Sequence, residues 1–463
     1  MSLTGKIAYN TVISIIGRVL GVTLSLISIG FIARYLGQEG FGYYSLILAF
    51  LSTFSILADF GLYSLMIREI SRPNADEKKI ASNIFTLRIV VLIICLGLAF
   101  VVAWFLPYSY IVKIGVAIGA IAFLFLSSSQ VLMGIFQKYL HTDRAALSET
   151  ISRSVQLGLV VLFLELNLGL LAVLGALIAG AIVGFFLNLY FTRKYIPVSL
   201  SFDFSYWKKL IKIAFPVAIS IVLTLIYFKI DSIFLSLKFI NTSSVNPIVD
   251  VGIYNIAYRV LEGLIFFPAM FVGLIMPLLS NFALTDQKKF KQIFQKALNI
   301  LIIFIIPIII GIILLSSPIV LLVGGKSFGV SASVLRILSF AIGIIFLGSL
   351  FGQSIVALDK QKTAAWIYFG GMIFNIITNL IFIPKYSYIG AAITTVFTEL
   401  LVTILILILI WRTIHYFPSF KIILKTFLAG AVMGGFIYYF INWNLFILVI
   451  IGAIIYFGVL YLI

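Results

Sequence analysis

Several charged side chains lie within long apolar stretches of this 463-residue chain. In hydrocarbon such residues are costly, so they usually face a protein interior or a water-filled cavity that holds the polar part of a substrate. The basic residues that we predict to bind substrate in this way are Arg18, Arg88, Arg153, Lys229 and Arg259. Two acidic residues in similar stretches, Asp231 and Glu262, are candidates for coupling transport to an ion.

The spacing of some charged residues permits ion pairs along a single helix. Glu149 and Arg153 are four residues apart, so they share one helix face and favour a structural pair. Arg259 and Glu262 are three residues apart and can also pair. Because both lie near the middle of their span, a structural role and a role in lining a cavity stay equally open for this second pair.

The other candidates have no such partner on their own helix. Lys229 and Asp231 are two residues apart and cannot face each other, so each is expected to meet another helix or water. Arg18 has no acidic residue nearby in the sequence, which makes it the best single candidate for a cavity. Arg88 lies near the predicted cytoplasmic surface, where a long side chain can extend to water.

The elements that carry these residues are predicted to be membrane-spanning helices. The chain is 63% hydrophobic and 10% charged, whereas soluble domains have about 45–50% apolar and about 25% charged residues. Apolar runs long enough to cross a bilayer predict about fourteen spans, all helical because backbone groups must be satisfied internally. Their predicted limits are 9–33, 43–66, 84–106, 111–136, 146–166, 168–192, 210–237, 251–280, 296–323, 332–357, 363–383, 388–411, 422–441 and 444–462.

An internal repeat divides the chain into two related parts. The segment 6–15 (KIAYNTVISI) returns as 212–221 (KIAFPVAISI), and 42–45 (GYYS) is matched by 252–255 (GIYN). We therefore predict an N-lobe of six spans over 1–205, a C-lobe of six spans over 206–416, and two further helices over 417–463. An even number of spans in each half predicts lobes related by a pseudo-two-fold axis along the membrane normal, with a cavity between them.

The intramembrane charges do not follow this repeat. At an offset of 206 residues Arg18 aligns with Thr224, and at an offset of 210 residues Arg259 aligns with Ala49. Residues that served only the shared fold would be expected in both halves more often. The unmatched charges are therefore where we expect an asymmetric substrate to be held.

The basic residues indicate the orientation in the membrane. The chain has a net charge of +17, and its basic clusters fall in alternate loops, such as Lys78–Lys79 and Lys288–Lys289. The intervening loops hold isolated basic residues such as Lys113. Because cytoplasmic loops carry the excess of Lys and Arg, both termini are predicted to be cytoplasmic. The positive charge is thus explained by topology and contact with anionic membrane lipid rather than by nucleic acid.

Signatures of enzymes, metal sites and cofactor sites are missing from the sequence. The segment 324–327 (GGKS) resembles the end of a phosphate-binding loop, but that motif requires a glycine where this chain has Val320. His141 and His415 lie in separate loops without a set of acidic or cysteine ligands. We expect neither a catalytic residue nor a bound metal or cofactor.

Several motifs resemble the polysaccharide biosynthesis (O-antigen, or lipid-linked oligosaccharide) flippase family. The amino-terminal segments 34–46 (RYLGQEGFGYYSL) and 58–62 (ADFGL) are similar to that family's signature. The segments 251–259 (VGIYNIAYR) and 276–280 (MPLLS) resemble its eighth span, and 389–393 (IGAAI) resembles the start of its twelfth. The resemblance covers nearly all of the chain.

This resemblance implies a multidrug/oligosaccharidyl-lipid/polysaccharide exporter fold. It also implies a flippase that moves polyprenyl-diphosphate-linked oligosaccharide from the cytoplasmic to the outer leaflet by alternating access. Arginines suit such a substrate because they bind phosphate through charge-assisted, often bidentate, hydrogen bonds. Flippases of lipid II in the same superfamily line their cavity with arginines, and Arg18 and Arg259 are assigned this role by analogy.

Two other functions stay open. One is a multidrug extruder of the same fold, which would favour an aromatic, acidic cavity, whereas the deep charges here are mainly basic. The other is a membrane polysaccharide polymerase or ligase, which would need a large catalytic outer loop. The family further implies an inner-membrane location, membrane lipids as partners, and contact with a polysaccharide polymerase or glycosyltransferases.

Three glycines in the predicted first outer loop suggest a tight turn. Gly37, Gly40 and Gly42 are close together between the first two spans. Glycine adopts positive φ angles without steric cost, so we expect these residues to form a turn and to give a gate its flexibility.

Overall fold

A computed structural model describes the backbone of residues 3–59 and 61–463. Within them, the side chains of residues 3–12, 213, 215–228 and 284 lie outside the description. Most of the repeated segments 6–15 and 212–221 therefore cannot be compared side chain by side chain. The described residues form fourteen α-helices and no strand, which confirms the prediction of an all-α protein.

The chain divides into two compact units, Met1–Leu237 and Lys238–Ile463. The helices of the first unit are α1 (Leu3–Leu57), α2 (Leu62–Ile70), α3 (Glu77–Phe105), α4 (Tyr110–Lys138), α5 (Thr142–Glu165), α6 (Gly169–Thr192) and α7 (Phe204–Ser236). Those of the second are α8 (Pro247–Leu264), α9 (Phe266–Thr285), α10 (Gln287–Gly324), α11 (Ser331–Ala357), α12 (Gln361–Ile414), α13 (Ile422–Tyr439) and α14 (Leu445–Leu462).

The first unit extends beyond the predicted lobe boundary at 205/206. It includes α7, because α7 packs against α1 and α3. In the second unit α13 and α14 form the two-helix addition predicted over 417–463. They pack on α10, where the Tyr456 hydroxyl donates to the Ile303 carbonyl at 2.8 Å. The two six-helix lobes and the axis that relates them stay predictions.

Eleven helical segments among the described residues are long and apolar enough to cross a membrane. Two of them, Ile13–Leu57 with 45 residues and Gln361–Ile414 with 54 residues, are much longer than the roughly 20 residues that one crossing requires. Each long helix contains one residue with non-helical φ and ψ angles, Gly37 in α1 and Ser387 in α12. These breaks match the predicted boundaries between spans 1 and 2 and between spans 11 and 12.

The break in α1 is a single-residue kink rather than a loop. Gly37 has φ 65° and ψ −172°, a combination that is essentially restricted to glycine. Gly40 and Gly42 have no positive φ angle, so the expected turn is made by Gly37 alone. Gly40 instead lies close to the preceding turn, since a Cβ atom there would be 2.9 Å from the Leu36 Cβ atom. The role of the three glycines in a gate stays a prediction.

Two other predicted spans are each formed by a pair of helices. In span 2, the first helix ends at Leu57 and the second begins at Leu62, directly after Gly61, which has a φ angle of 67°. Span 8 is divided between α8 and α9 at Ile265, three residues before Pro268. Proline is tolerated in a first helical turn because its missing N–H would have no intrahelical partner there.

Candidate functional site

Arg18 lies on α1 beside a line of close contacts with α5, which we call the helix seam. The Ser14 hydroxyl donates to the Thr142 hydroxyl at 2.7 Å. One turn further along, a Cβ atom on Gly17 would be only 2.5 Å from the Cβ atom of Ala146. Both helices advance together along these contacts, so α1 and α5 run in the same direction. Small residues at this spacing let two helix backbones approach closely.

The seam brings Glu149 of α5 to Arg18. A Cβ atom on Gly21 would be 3.3 Å from Glu149 Oε1, so the carboxyl group occupies space that the glycine leaves open. Glu149 Oε2 lies 3.6 Å from Arg18 Nη1, and the side chain of Arg18 is 54% exposed. Arg18 therefore has an acidic partner that the sequence did not indicate, because that partner lies on another helix.

The predicted ion pair between Glu149 and Arg153 is not formed. Glu149 faces Arg18 instead, and Arg153 Nη1 donates to Gln156 Oε1 at 3.4 Å, one turn along α5. The physical reason is the absence of side chains at Gly17 and Gly21, which lets α1 approach the carboxyl group. Arg153 is half-buried, and its role in binding substrate stays a prediction.

Arg88 of α3 is fully buried and does not extend to the surface as predicted. Only 1% of its side chain is exposed, and its Nη1 atom lies 2.7 Å from Asp59 Oδ1. Nη2 donates to the Ser127 hydroxyl at 2.5 Å, which also accepts from Ser55 at 3.0 Å. No described residue accepts a hydrogen bond from Arg88 Nε. Because burial of an unpaired charge is unfavourable, Asp59 is the residue that makes this position tolerable.

Arg259 and Glu262 form the ion pair that their spacing permits. Arg259 Nη1 donates to Glu262 Oε2 at 2.7 Å, and both side chains are half-buried. The pair lies in the last turns of α8, just before the helix ends at Leu264. A cation near a helix C-terminus is favoured by the helix dipole.

Lys229 and Asp231 differ in exposure. Asp231 is buried, with 1% of its surface exposed, whereas Lys229 is half-buried. This difference agrees with their spacing of two residues, which directs them to different faces of α7. Their assignments to substrate binding and to ion coupling stay predictions.

The second unit contains buried polar groups that the sequence reading did not single out. Asn379 Nδ2 donates to Asn375 Oδ1 at 3.0 Å, and Asn375 Nδ2 donates to the Thr398 hydroxyl at 3.3 Å. At the break in α12, Ser387 has φ 47° and its hydroxyl donates to the buried Asp250. Neutral amides and hydroxyls carry little signal in an apolar sequence, and Asp250 lies just outside the predicted span 251–280, so only tertiary structure reveals these contacts.

Ion pairs also join helix ends at the predicted cytoplasmic side. Lys138 Nζ lies 2.6 Å from Glu77 Oε1, and Lys79 Nζ lies 3.1 Å from Asp203 Oδ2. Asp203 caps α7 by accepting from the Tyr206 backbone N–H at 3.0 Å. This hydrogen bond, together with the charge of Lys79, holds the pKa of Asp203 below its usual value. These contacts stabilise helix ends.

The described residues include no group of three or more His, Cys, Asp or Glu side chains that could hold a metal ion. The arginine–carboxylate pairs of the described residues are instead of two kinds. Arg88 is sealed within its unit, whereas Arg18 exposes more than half of its side chain. An exposed guanidinium within a membrane-spanning helix can bind an anion through several N–H groups at once.

Comparisons with known proteins agree with this architecture. The model of the polysaccharide biosynthesis protein family matches residues 7–283. A putative O-antigen transporter of Shigella flexneri is 26% identical over 405 residues, which cover 84% of this chain and 94% of the relative. A probable low-salt glycan biosynthesis flippase of Haloferax volcanii is 24% identical over 410 residues, covering 88% of this chain and 82% of the relative.

Solved structures show the same fold. Lipid II flippase MurJ in an inward closed conformation has a TM-score of 0.77 at 18% identity, covering 98% of each chain. An inward-facing multidrug resistance transporter of the MATE family has a TM-score of 0.68 at 14% identity, covering 88% of this chain and 98% of that one. The prediction of a multi-pass membrane protein of this fold is confirmed.

These matches also bear on the class of protein. The relatives are named as transporters and flippases, which confirms that the chain is not an enzyme. Because the family model matches more than half of its length, the chain belongs to the polysaccharide biosynthesis protein family.

Proposed function

We propose that the chain is a flippase for a polyprenyl-diphosphate-linked oligosaccharide. It moves this lipid from the cytoplasmic to the outer leaflet by alternating access, for assembly of a cell-surface polysaccharide. The observation that carries the proposal is membership of the family, with relatives named as an O-antigen transporter and a glycan biosynthesis flippase over more than four fifths of this chain. The protein acts in the cytoplasmic membrane with both termini inside, as its basic loops favour.

The arginines supply the chemistry that this substrate requires. A diphosphate must cross a region of low dielectric, where an unpaired anion is strongly disfavoured. Arg18 is more than half exposed, and Arg259 is half-buried beside Glu262. Each can donate paired N–H groups to phosphate oxygens. Arg153 and Lys229 are secondary candidates, while Arg88 supports the fold through Asp59.

Deletion of the gene in its native host tests the function. The expected result is accumulation of lipid-linked oligosaccharide in the inner leaflet and loss of the surface polysaccharide. A multidrug extruder is the second candidate, because the MATE transporter shares the fold with a TM-score of 0.68. New sensitivity to cationic drugs without accumulation of the lipid would favour that candidate and contradict the flippase. A polymerase or ligase is not supported by relatives named as transporters.

Point variants in reconstituted liposomes test the residues. We expect Arg18→Ala and Arg259→Ala to abolish flipping of a fluorescent polyprenyl-diphosphate oligosaccharide without loss of expression. Arg336→Ala is the matched control, since Arg336 is exposed and its Nε donates to the Ser316 hydroxyl at 2.7 Å. Normal flipping by both of the first two variants would show that the cavity assignment is wrong.

Ion coupling is tested with the same liposomes. Asp231 and Glu262 are the proposed coupling residues, and collapse of the proton or sodium gradient is expected to slow flipping. Flipping that is insensitive to either gradient would remove this role from both residues. Contacts with a polymerase or glycosyltransferases belong to the proposal and are tested by crosslinking in the native membrane.

A further inference from the structure

The ion pair between Arg18 and Glu149 is longer than the pair between the half-buried residues Arg259 and Glu262. Arg18 Nη1 and Glu149 Oε2 are 3.6 Å apart, whereas Arg259 and Glu262 are 2.7 Å apart. Charge-assisted N–H···O bonds have distances of about 2.7–2.9 Å. Glu149 therefore attracts Arg18 without closing a short hydrogen bond, and an incoming anion can replace this attraction.

Glu149 is the more buried member of the pair. Its side chain is 23% exposed, and its carboxyl group rests against the α1 backbone at Gly21. The position of the carboxylate is fixed by the helix seam of Gly17 and Ala146, where the two backbones are in close contact. Arg18 has the longer and more exposed side chain, so it is the partner that moves when the pair opens.

We propose that Glu149 is a positioning residue that competes with the diphosphate of the substrate for Arg18. Glu149 holds Arg18 when the site is empty, yields it to phosphate oxygens on binding, and attracts it again so that the substrate is released. The inference rests on the proposed function for the identity of the anion. Without this carboxylate, Arg18 binds an anion more tightly and gives it up more slowly.

Binding of inorganic pyrophosphate to the purified full-length protein tests the competition. Glu149→Gln keeps the shape of the side chain and removes its charge. We expect about fivefold tighter binding, the factor that corresponds to two unit charges about 4 Å apart in water. Glu165→Gln is the matched control, because Glu165 is exposed at the opposite end of the same helix. The tightening should disappear when Arg18→Ala is combined with Glu149→Gln.

A gain in affinity separates competition from a merely structural role. A variant that only loosened the seam would bind pyrophosphate more weakly, so equal or weaker binding by Glu149→Gln overturns the proposal. Gly21→Ala provides a second variant, since its Cβ atom would lie 3.3 Å from Glu149 Oε1 and displace the carboxylate. It should also tighten binding, whereas Gly158→Ala, which has open space around it, should not.

Turnover gives the complementary result. At saturating lipid-linked oligosaccharide, Glu149→Gln should flip about fivefold more slowly than the native protein because release is delayed, and Glu149→Asp should restore the rate. An unchanged rate in Glu149→Gln contradicts the role in release.

If the native protein flips no such lipid but Glu149→Gln still tightens pyrophosphate binding, the proposed function fails and the competition stands. If flipping is observed without tightening, only the competition fails.

Discussion

Replacing Asp59 by asparagine should destabilise the protein more than replacing Arg88, its partner. Arg88 is 1% exposed and Asp59 is 23% exposed, with 2.7 Å between Nη1 and Oδ1. The variant Asp59→Asn leaves a guanidinium charge in the interior of the first unit, with one neutral hydroxyl, that of Ser127, accepting from Nη2. The variant Arg88→Met leaves a carboxylate that is only partly buried. The two ends of one ion pair are therefore not equivalent.

The magnitude follows from the burial of each partner. Two unit charges about 4 Å apart attract by about 4 kcal/mol at an effective dielectric constant of about 20. Removing one member of a buried pair costs about 3–5 kcal/mol. Because Asp59 is 23% exposed, we expect the lower end of this range, about 3 kcal/mol, for Asp59→Asn. Arg88→Met should cost about 1.5 kcal/mol, since the carboxylate it leaves can be hydrated.

The double variant distinguishes charge from packing. Asp59→Asn with Arg88→Met removes both charges, so we expect a cost of about 1.5 kcal/mol, well below the sum of the two single costs. The coupling energy would then be about 3 kcal/mol. The free energy of unfolding is measured by titrating sodium dodecyl sulfate into detergent micelles and following the fluorescence of the five tryptophans. Asp286→Asn is the control, because asparagine also caps a helix well.

Two results would refute this reasoning. The first is a larger cost for Arg88→Met than for Asp59→Asn, which would mean that the arginine contributes mainly by filling space. The second is strict additivity in the double variant, which would mean that the two charges do not stabilise each other. A cost for the Asp286→Asn control equal to that for Asp59→Asn would show that the measurement responds to any aspartate change.

Three further variants test the local physics of the helices by unfolding and hydrogen exchange. Gly37→Ala should lower the free energy of unfolding by about 1–3 kcal/mol, because alanine rarely adopts the φ 65° and ψ −172° found there. Its control is Gly97→Ala, which lies within a helix with open space around it and should leave the free energy of unfolding unchanged. Gly17→Ala should cost about 1–3 kcal/mol by forcing α1 from α5, and Gly158→Ala, which meets no atom within 4 Å, is its control. The lowered pKa of Asp203 means that its cap stabilises α7 above the unfolded pKa of about 3.9. Protection of the first amides of α7 should then be lost as the pH falls through the lower folded pKa, and Asp203→Asn should remove this pH dependence.

The spans could be predicted from the sequence because they depend on local properties. Apolar length and the exclusion of unsatisfied backbone groups determine where helices lie, so the predicted spans correspond to the observed helices, including the boundary near Gly37. Prolines do not mark the breaks consistently. Pro268 lies just after the break of span 8, whereas Pro307 and Pro318 lie within the continuous helix α10. A helix in a bundle can accommodate a proline when neighbouring groups satisfy the freed carbonyl.

The ion pairs could be predicted only where both partners lie on one helix. The spacing of Arg259 and Glu262 identified their pair, because residues three apart are neighbours on a helix surface. Spacing gave the wrong partner for Glu149, which meets Arg18 on another helix. Asp59 belongs to a recognised family motif, yet nothing in the sequence linked it to Arg88. Contacts between helices depend on how the helices pack, and here Gly17 and Gly21 let α1 approach α5. A single sequence does not show which helices are neighbours.

The two breaks in spans 2 and 8 give the internal repeat a more specific meaning. At the offset of 206 residues that relates 6–15 to 212–221, the helix end at Leu57 and the helix start at Leu62 correspond to positions 263 and 268, which bracket the observed break at Ile265. Corresponding interruptions in two halves of a transporter are a recognised indication of a functional region. Each break leaves a helix C-terminus whose dipole favours a cation. The repeat thus supplies the same interruption twice, but the charges beside it differ. Asp59 at the first break pairs with the fully buried Arg88, whereas Arg259 and Glu262 near the second break are half-buried. The shared fold therefore accounts for the breaks, and the charges are particular to each unit.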